Sequence, residues 1–331
     1  MKVLFIRFSS IGDIVLTTPL LRSLKQARPE VEIHYLTKSA YQDLLIHNPY
    51  VSRIHVLDQE GKLPLQALKS EGFDYVIDLH RNLRSRKVKW ALSCPSVSFD
   101  KKNLAKYRMV RSGKPPKQLP HIVQRYGDCL KALGVQLDHQ GLELHLPDGM
   151  EAEAQQLLEA WGHSNPIAVV LGATYATKRW PTAKFIQLLQ TYNQPVLLIG
   201  GPDSVREAEE ICRSVQSPIF NGVGKYSLLM SAALMKQAQQ VVAHDTGFMH
   251  IAAAFGQGLV TIWGNTVPEL GMTPYRTPHE IVEVKGLSCR PCSKIGYRRC
   301  PKGHFDCMEK IKPQQVLDVM DGNETSQLRS K

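Results

Sequence analysis

Long apolar runs are missing from this 331-residue chain. Nothing approaches the roughly 20 consecutive apolar residues of a membrane-spanning helix. A leader pattern is missing too: the chain opens directly on MKVLFI, which reads as a strand, so the expectation is a cytoplasmic protein without a signal peptide. In that setting the seven cysteines are expected to be reduced thiols or metal ligands, not disulfides. Internal repeats and low-complexity segments are absent. So is the G-x-G-x-x-G dinucleotide fingerprint after the first strand. No pair of carboxylates spaced for a catalytic metal stands out. Acidic residues are almost missing from 81–117, where twelve Lys or Arg face one acid, Asp100. That segment accounts for the whole formal charge of +11. Its only aromatics are Trp90, Phe99 and Tyr107, too few to interleave with the charges as a nucleic-acid surface requires, so no nucleic-acid partner is expected.

What is present is alternation of strand-like and helical patterns. The strands expected in the first half are Val3–Phe8, Glu32–Thr37, Ile54–Leu57, Tyr75–Leu79 and Val97–Phe99, with helices near 13–27, 40–47 and 63–71. A break at 138–150 precedes a helix over Glu151–Trp161. A second series follows: strands Ile167–Leu171, Val196–Ile199, Ile219–Phe220, Val241–Ala243 and Leu259–Trp263, with helices near 181–192, 204–214, 227–237 and 247–255. Such alternation argues for parallel βαβ units. The expectation is two α/β domains, 1–150 and 151–331. After Val319 the chain turns polar and is expected to fray.

In doubly wound sheets ligands bind outside the carboxyl ends of the strands. Four loops at such ends carry chemistry. RFSSIGDIVLTTPLLRSLK (7–25) places Ser9, Ser10, Gly12 and Asp13 after the first strand. Gly12 lets the backbone approach a ligand. Asp13 admits two readings, a helix cap and a cleft-facing base. LGATYATKRWP puts Thr174, Thr177 and the compact charge of Lys178 in one loop, and Pro181 starts the next helix. IGGPDS brings Gly200 and Gly201 to a turn. HDTGFMH sets Asp245, Thr246 and Gly247 at a helix start, where free N–H groups favour anions, with His250 a turn further in. Asp245 also fits a plain cap, Lys178 a surface lysine, and His250 a packed helix residue.

Three of these stretches, taken in order, resemble a known family. RFSSIGDIVLTTPLLRSLK, ATKRWP (176–181) and VVAHDTGFMHIAAAFG (241–256) followed by LVTIWGNTVPE are similar to the ADP-heptose:lipopolysaccharide heptosyltransferases, glycosyltransferase family 9. The resemblance runs from residue 1 to about 308 and implies the GT-B fold, two doubly wound parallel-sheet (Rossmann-like) domains facing a cleft. It implies an inverting glycosyltransferase that moves a heptose from ADP-heptose to an inner-core lipopolysaccharide, with catalysis that uses no metal. Asp13 becomes the base and Lys178 the cation on the donor diphosphate. The donor set is Ser10, Gly12, Thr174, Lys178, Gly200, Gly201, Asp245, Thr246, Gly247 and His250. Trp180 matches the pattern. Two departures stand out. His244 occupies the place of a small residue, and GNTVPELGMTPY differs from the family's G-P-T-D-P version, its Asn265 and Glu269 pointing to another donor or acceptor sugar.

The basic segment then suits the acceptor. Arg81, Arg84, Arg86 and Lys87 are expected to hold its phosphates and carboxylates, while Lys114 and Lys117, in a Gly/Pro stretch, are expected to touch the inner face of the cytoplasmic membrane. A solubilising loop is the plainer reading. Cys289, Cys292, Cys300 and Cys307, spaced C-x2-C-x7-C-x6-C with His304 nearby, fit a structural zinc site; packed thiols or a redox pair fit as well. No cofactor is expected for catalysis. Two other functions fit parts of the pattern: a nucleic-acid or anionic-membrane binding protein on an α/β scaffold, and a GT-B sugar-nucleotide epimerase, which needs no acceptor patch.

Overall fold

A computed structural model describes residues 1–58, 60–112 and 118–322. Two compact units account for them: Met1–Lys102 with Pro120–Pro147, and Asn103–Leu119 with Asp148–Lys331. One boundary between them falls at Pro147–Asp148. The segment 103–119, expected with the first domain, packs with the second. Met109 buries itself against Val267 and Leu270, with Leu119 alongside, and the Leu119 N–H donates to the Glu269 carbonyl at 2.9 Å.

The first unit holds a five-stranded sheet of β1 (Lys2–Ile6), β2 (Glu32–Lys38), β3 (Arg53–Leu57), β4 (Tyr75–Asp78) and β5 (Ser96–Ser98), in the order β3-β2-β1-β4-β5. The second holds six strands: β6 (Ile167–Val170), β7 (Val196–Ile199), β8 (Ile219–Asn221), β9 (Gln240–His244), β10 (Leu259–Trp263) and β11 (His279–Glu283), in the order β11-β10-β9-β6-β7-β8. Every pairing is parallel. The sequence dictates this. KVLFI, IAVV, VLLI and LVTIW are nearly continuous apolar runs, the mark of strands covered by helices on both faces. This is the GT-B class of α/β fold. The expected strands are all present. β11 was not expected, because HEIVE is a polar edge strand with a single buried residue.

The helix expected over 13–27 is two helices, Ile11–Val15 and Thr18–Ala27. Pro19 is the cause: it has no N–H to give the Val15 carbonyl. That carbonyl instead accepts from the Thr18 hydroxyl at 2.8 Å, and the Ile14 carbonyl accepts from the Thr17 hydroxyl at 2.7 Å. At the other end of the chain the helix Pro313–Met320 docks Val316 and Leu317 into the core of the second unit. The expectation of fraying past Val319 falls mostly outside the described residues.

Arg22 fixes the return of the chain to the first unit after the excursion through 103–119. Its buried guanidinium donates to Asp138 at 2.6 and 3.2 Å, to Glu143 at 2.8 Å and to the Gly141 carbonyl at 2.8 Å. Burial pulls its pKa down, but the two carboxylates more than offset that and hold it above its usual value. Removing one partner of such a cluster strands the others. Arg22→Met should therefore cost about 3 kcal/mol in the unfolding of the first unit. Urea unfolding followed by tryptophan-independent far-UV signal checks this. A loss below about 1 kcal/mol, the worth of a surface pair, would show the cluster to be solvent-screened.

Candidate functional site

In each sheet the strand order reverses at one place, and loops there diverge to leave a crevice. In the first unit the reversal lies between β1 and β4. Arg7, the residue directly after β1, ties the two loops together. Its Nε donates to the Ser9 carbonyl and its Nη1 to the Leu79 carbonyl, both at 2.7 Å, while Nη2 sits 2.6 Å from Asp13 Oδ2. The same Oδ2 accepts from the Ser10 hydroxyl at 2.9 Å and the Ser10 N–H at 3.2 Å. Oδ1 of Asp13 carries no contact among the described residues. Ser10, not Asp13, is the helix cap; Asp13 is the third residue, reaching back. Burial would raise the Asp13 carboxyl, but the Arg7 charge and the Ser10 bonds outweigh it and hold the group below its ordinary value. Gly12 is buried beneath the loop. His80, on the β4 loop, packs edge-on against Phe8 with ring centroids 4.9 Å apart. Burial, reinforced by Arg7, pushes it down to about 4, so it is a neutral imidazole. Arg7 and His80 escaped the sequence reading; the only cue for Arg7 was a cation closing an apolar strand.

Beyond β4 and β5 lies a cavity of about 560 Å³ lined by Asp78, Arg81, Asn82, Arg86, Lys89, Ser98 and Asp100. Asp78 organises it. Its buried carboxylate accepts from the His80 and Arg81 N–H groups at 3.0 and 2.6 Å and from the Ser85 hydroxyl at 2.7 Å. These bonds hold Arg81 in a left-handed backbone conformation, φ 51°. Of the expected acceptor residues Arg81 and Arg86 line the cavity, and Lys89 joins them. Arg84 and Lys87 do not. Both are exposed on the helix Leu83–Leu92: Lys87 stands beside Leu83 and Trp90, which are 77% and 81% exposed, while the Arg84 guanidinium lies against Gly61. Helical spacing explains this: 83, 87 and 90 share a stripe opposite buried Ser85 and Val88. Lys114 and Lys117 lie outside the described residues.

In the second unit the reversal lies between β6 and β9. Lys178, on the loop after β6, meets Asp245, just after β9: Nζ is 2.6 Å from Oδ2 and 3.3 Å from the Asp245 carbonyl. Thr266 donates its hydroxyl to the same Oδ2 at 2.9 Å. Asp245 thus aims Lys178; its own carboxylate is committed. The next residue, Thr246, begins the helix Gly247–Ala254, and its Oγ1 is buried without a hydrogen-bond partner among the described residues. A buried hydroxyl beside helix N-terminal N–H groups and an aimed cation is a donor set whose chemistry suits anionic oxygens. His250 is buried one turn inside the helix.

The neighbouring loops are braced. His244 is fully buried, and its Nε2 accepts from the Trp180 N–H at 2.9 Å, which accounts for a large polar residue where a small one was expected. Burial drives this imidazole down to about 4, so Nε2 is free to accept. Arg179 donates to the Ala173 carbonyl at 2.8 Å and pairs with Asp203 of the Gly200–Gly201 turn. Gly172, φ 78°, passes so close to Ser204 that a Cβ there would lie 2.2 Å from its Oγ. Thr174 is exposed on the loop. Thr177, expected to face phosphate, is instead occupied: its hydroxyl accepts from the Tyr297 N–H at 2.8 Å and donates to the Tyr297 carbonyl at 3.2 Å.

Cys289, Cys292, Cys300 and Cys307 are free thiols around one small cavity that Thr177, Asn265, Arg290, Lys302 and His304 also line. Burial, then the neighbouring thiols, raise Cys292, and Cys307 is pushed up to about 12. Elsewhere, His34, His55 and Glu71 bring ligand atoms within 4.8 Å of one another. That group is satisfied internally, with His34 and His55 hydrogen-bonded at 3.0 Å and Glu71 held by Lys2 and Arg53.

Comparison with known proteins identifies the family. The family model described as glycosyltransferase family 9 (heptosyltransferase) matches residues 64–301. The chain is 24% identical to lipopolysaccharide heptosyltransferase 1 of Pseudomonas aeruginosa, covering 97% of both chains. Among solved structures it is similar to a family 9 glycosyltransferase from Veillonella parvula, with a TM-score of 0.80, 20% identity and coverage of 97% and 96%. It is also similar to Escherichia coli ADP-heptose lipopolysaccharide heptosyltransferase II, with a TM-score of 0.74, 20% identity and coverage of 98% of both.

The Arg7–Asp13 contact makes a pH prediction. In the native protein Asp13 should contribute stability that is present above its ordinary value of 3.8 and lost as pH falls through its lower folded value. In Arg7→Gln only burial and the Ser10 bonds remain, so the carboxyl should rise. Carboxyl carbon NMR titration reads both. An Asp13 titration unmoved by Arg7→Gln would show that the guanidinium does not set its charge.

Proposed function

Glycosyltransferase family 9 is the family to which this chain belongs, and we propose that it transfers a heptose from ADP-heptose to an inner-core lipopolysaccharide acceptor, with inversion at the anomeric carbon. The observation that carries the donor half is the aimed Lys178 beside the partnerless Thr246 hydroxyl and the helix N-terminus at Gly247. In direct displacement a bond forms from the acceptor oxygen to the anomeric carbon while the bond to the diphosphate breaks. The nucleoside diphosphate leaves with the electron pair. Its developing charge is met by Lys178, the Thr246 hydroxyl and the backbone N–H groups, and no metal is required. The acceptor proton passes to Asp13, through Oδ1. A carboxylate held low is a weak base toward a resting alcohol. It accepts the proton late, once bonding to carbon has made the hydroxyl acidic. Gly200, Gly201 and Thr174 flank the donor loop and would meet the rest of the nucleotide.

On the acceptor side, Arg81, Arg86 and Lys89 fit the phosphates and carboxylates of an inner-core glycolipid. Arg84 and Lys87, with the exposed Leu83 and Trp90, fit the anionic leaflet that presents it. Among the described residues no helix is long and apolar enough to cross a membrane, so surface contact is the form such an association takes. Family membership sets aside a non-catalytic nucleic-acid or membrane-binding role, and the acceptor cavity favours transfer over epimerisation.

Two measurements test the reading. Asp13→Asn should cut kcat on the order of 10²-fold or more with ADP affinity nearly unchanged, whereas Lys178→Ala should weaken ADP binding, more so at low salt. Normal turnover in Asp13→Asn, or ADP binding by calorimetry indifferent to Lys178, would remove the base or the donor site. Separately, neutralising Arg81, Arg86 and Lys89 together should raise the acceptor KM and leave donor KM within about twofold, the charges being screened over roughly 8–10 Å. Neutralising Arg84 and Lys87 should chiefly lower co-sedimentation with anionic vesicles. Equal effects of the two sets on acceptor KM would deny the division of labour.

A further inference from the structure

We infer that Cys289, Cys292, Cys300 and Cys307 hold one tetrahedral metal ion of the zinc type, and that this centre clamps the loop carrying Lys178. Four observations support a metal. The spacing C-x2-C-x7-C-x6-C offers a CxxC knuckle followed by two further ligands. All four cysteines line one small cavity of about 10 Å³. None of them is paired in a disulfide. The lining also carries Lys302, a cation suited to a tetrathiolate dianion.

Ligation balances as one divalent ion taken up and four thiol protons released, so affinity must rise with pH. Among the described residues no three of the sulfurs lie within 4.8 Å of one another, since the only group meeting that spacing is His34, His55 and Glu71. Bonds of about 2.3 Å in tetrahedral geometry place ligand sulfurs roughly 3.8 Å apart. Loading therefore draws the loop inward.

What it draws on is the donor loop. Thr177 exchanges two hydrogen bonds with Tyr297, between Cys292 and Cys300. Gly296, φ 127°, lies against Tyr175 so closely that a Cβ would meet its Cβ at 2.6 Å. Arg290, inside the knuckle, donates to the carbonyls of Gly264 at 2.5 Å and Thr266 at 2.8 Å and pairs with Glu283 at 2.6 Å. Thr266 in turn holds Asp245, the partner of Lys178. A metal at the four sulfurs thus fixes both sides of the Lys178–Asp245 pair without touching a ligand there. The metal claim stands on the cysteines alone; the clamp rests on the donor reading above.

The test is elemental analysis of the full-length chain purified without chelator or metal-affinity resin. About one zinc per chain is expected, and near zero in Cys292→Ser/Cys300→Ser, while Cys94→Ser/Cys212→Ser retains it. Zinc at background in the native chain, or zinc unchanged by the first double substitution, overturns the site. Should the double variant fold poorly, stripping the native chain with a chelator gives the second route. Thermal stability must fall and return on adding Zn²⁺ alone; no recovery overturns the proposal. ADP calorimetry on loaded and stripped native chain then tests the clamp, with Kd expected to rise on the order of tenfold on stripping. Equal affinity in both forms overturns the clamp, whereas ADP binding to neither form overturns the donor reading and leaves the metal content as measured.

Discussion

Parallel pairing throughout both sheets is the constraint on which everything else depends. It sends every strand's carboxyl end to the same edge of its sheet, so each functional loop must emerge there. The order reversal then selects which two loops stand beside the crevice: those after β1 and β4 in one unit, and those after β6 and β9 in the other. Asp13, His80, Lys178 and Asp245 occupy these four loops. No other arrangement of the same apolar runs would bring residues 78 to 82 beside residues 7 to 13, or 178 beside 245.

At each reversal a charged side chain reaches across the gap and holds a second charged group in place. Arg7 spans from the β1 loop to the Leu79 carbonyl and holds Asp13; Asp245 spans from the β9 loop and holds Lys178. The two pairs have opposite polarity at the working group. In the first unit the anion is presented and the cation is the brace. In the second the cation is presented and the anion is the brace. Each brace weakens the group's raw charge but fixes its position. For the proposed transfer, in which charge develops only during the reaction, fixed position is worth more than raw attraction.

The strands were legible because continuous apolar runs leave little choice, and the loops were legible because Gly, Ser and Thr at strand ends are chemically conspicuous. Asp13, Lys178, Thr246 and Gly247 stood out that way as candidates. The braces were not. Arg7 looks like any cation after a strand, and its value comes from Leu79, which is 72 residues away in sequence. His244 looked like a departure from pattern until the Trp180 N–H gave it a partner 64 residues distant. Thr177 was read as a phosphate donor because its own loop is all the sequence displays; its true partner is Tyr297. The helix Leu83–Leu92 shows the same limit. Composition located the charge, but only the helical phase, set by which side Ser85 and Val88 bury, separates Arg86 and Lys89 from Arg84 and Lys87.

The segment 103–119 shows why charge density alone misassigns domains. Its basic residues continue those of 81–102, so composition joins them into one patch. Packing decides otherwise. Met109 and Leu119 find apolar partners in Val267 and Leu270, and a backbone bond to Glu269 fixes the register. Few apolar residues suffice because the alternative is to leave Met109 in water, at about 2 kcal/mol for a side chain of that size. A cationic helix therefore belongs to the second unit, next to the 267–270 turn that follows Asn265 and Thr266. The first unit reclaims the chain at Pro120, and the Arg22 cluster with Asp138 and Glu143 fastens its last segment. The first unit thus contains residues from both sides of the 103–119 segment. The covalent chain passes between the two units three times.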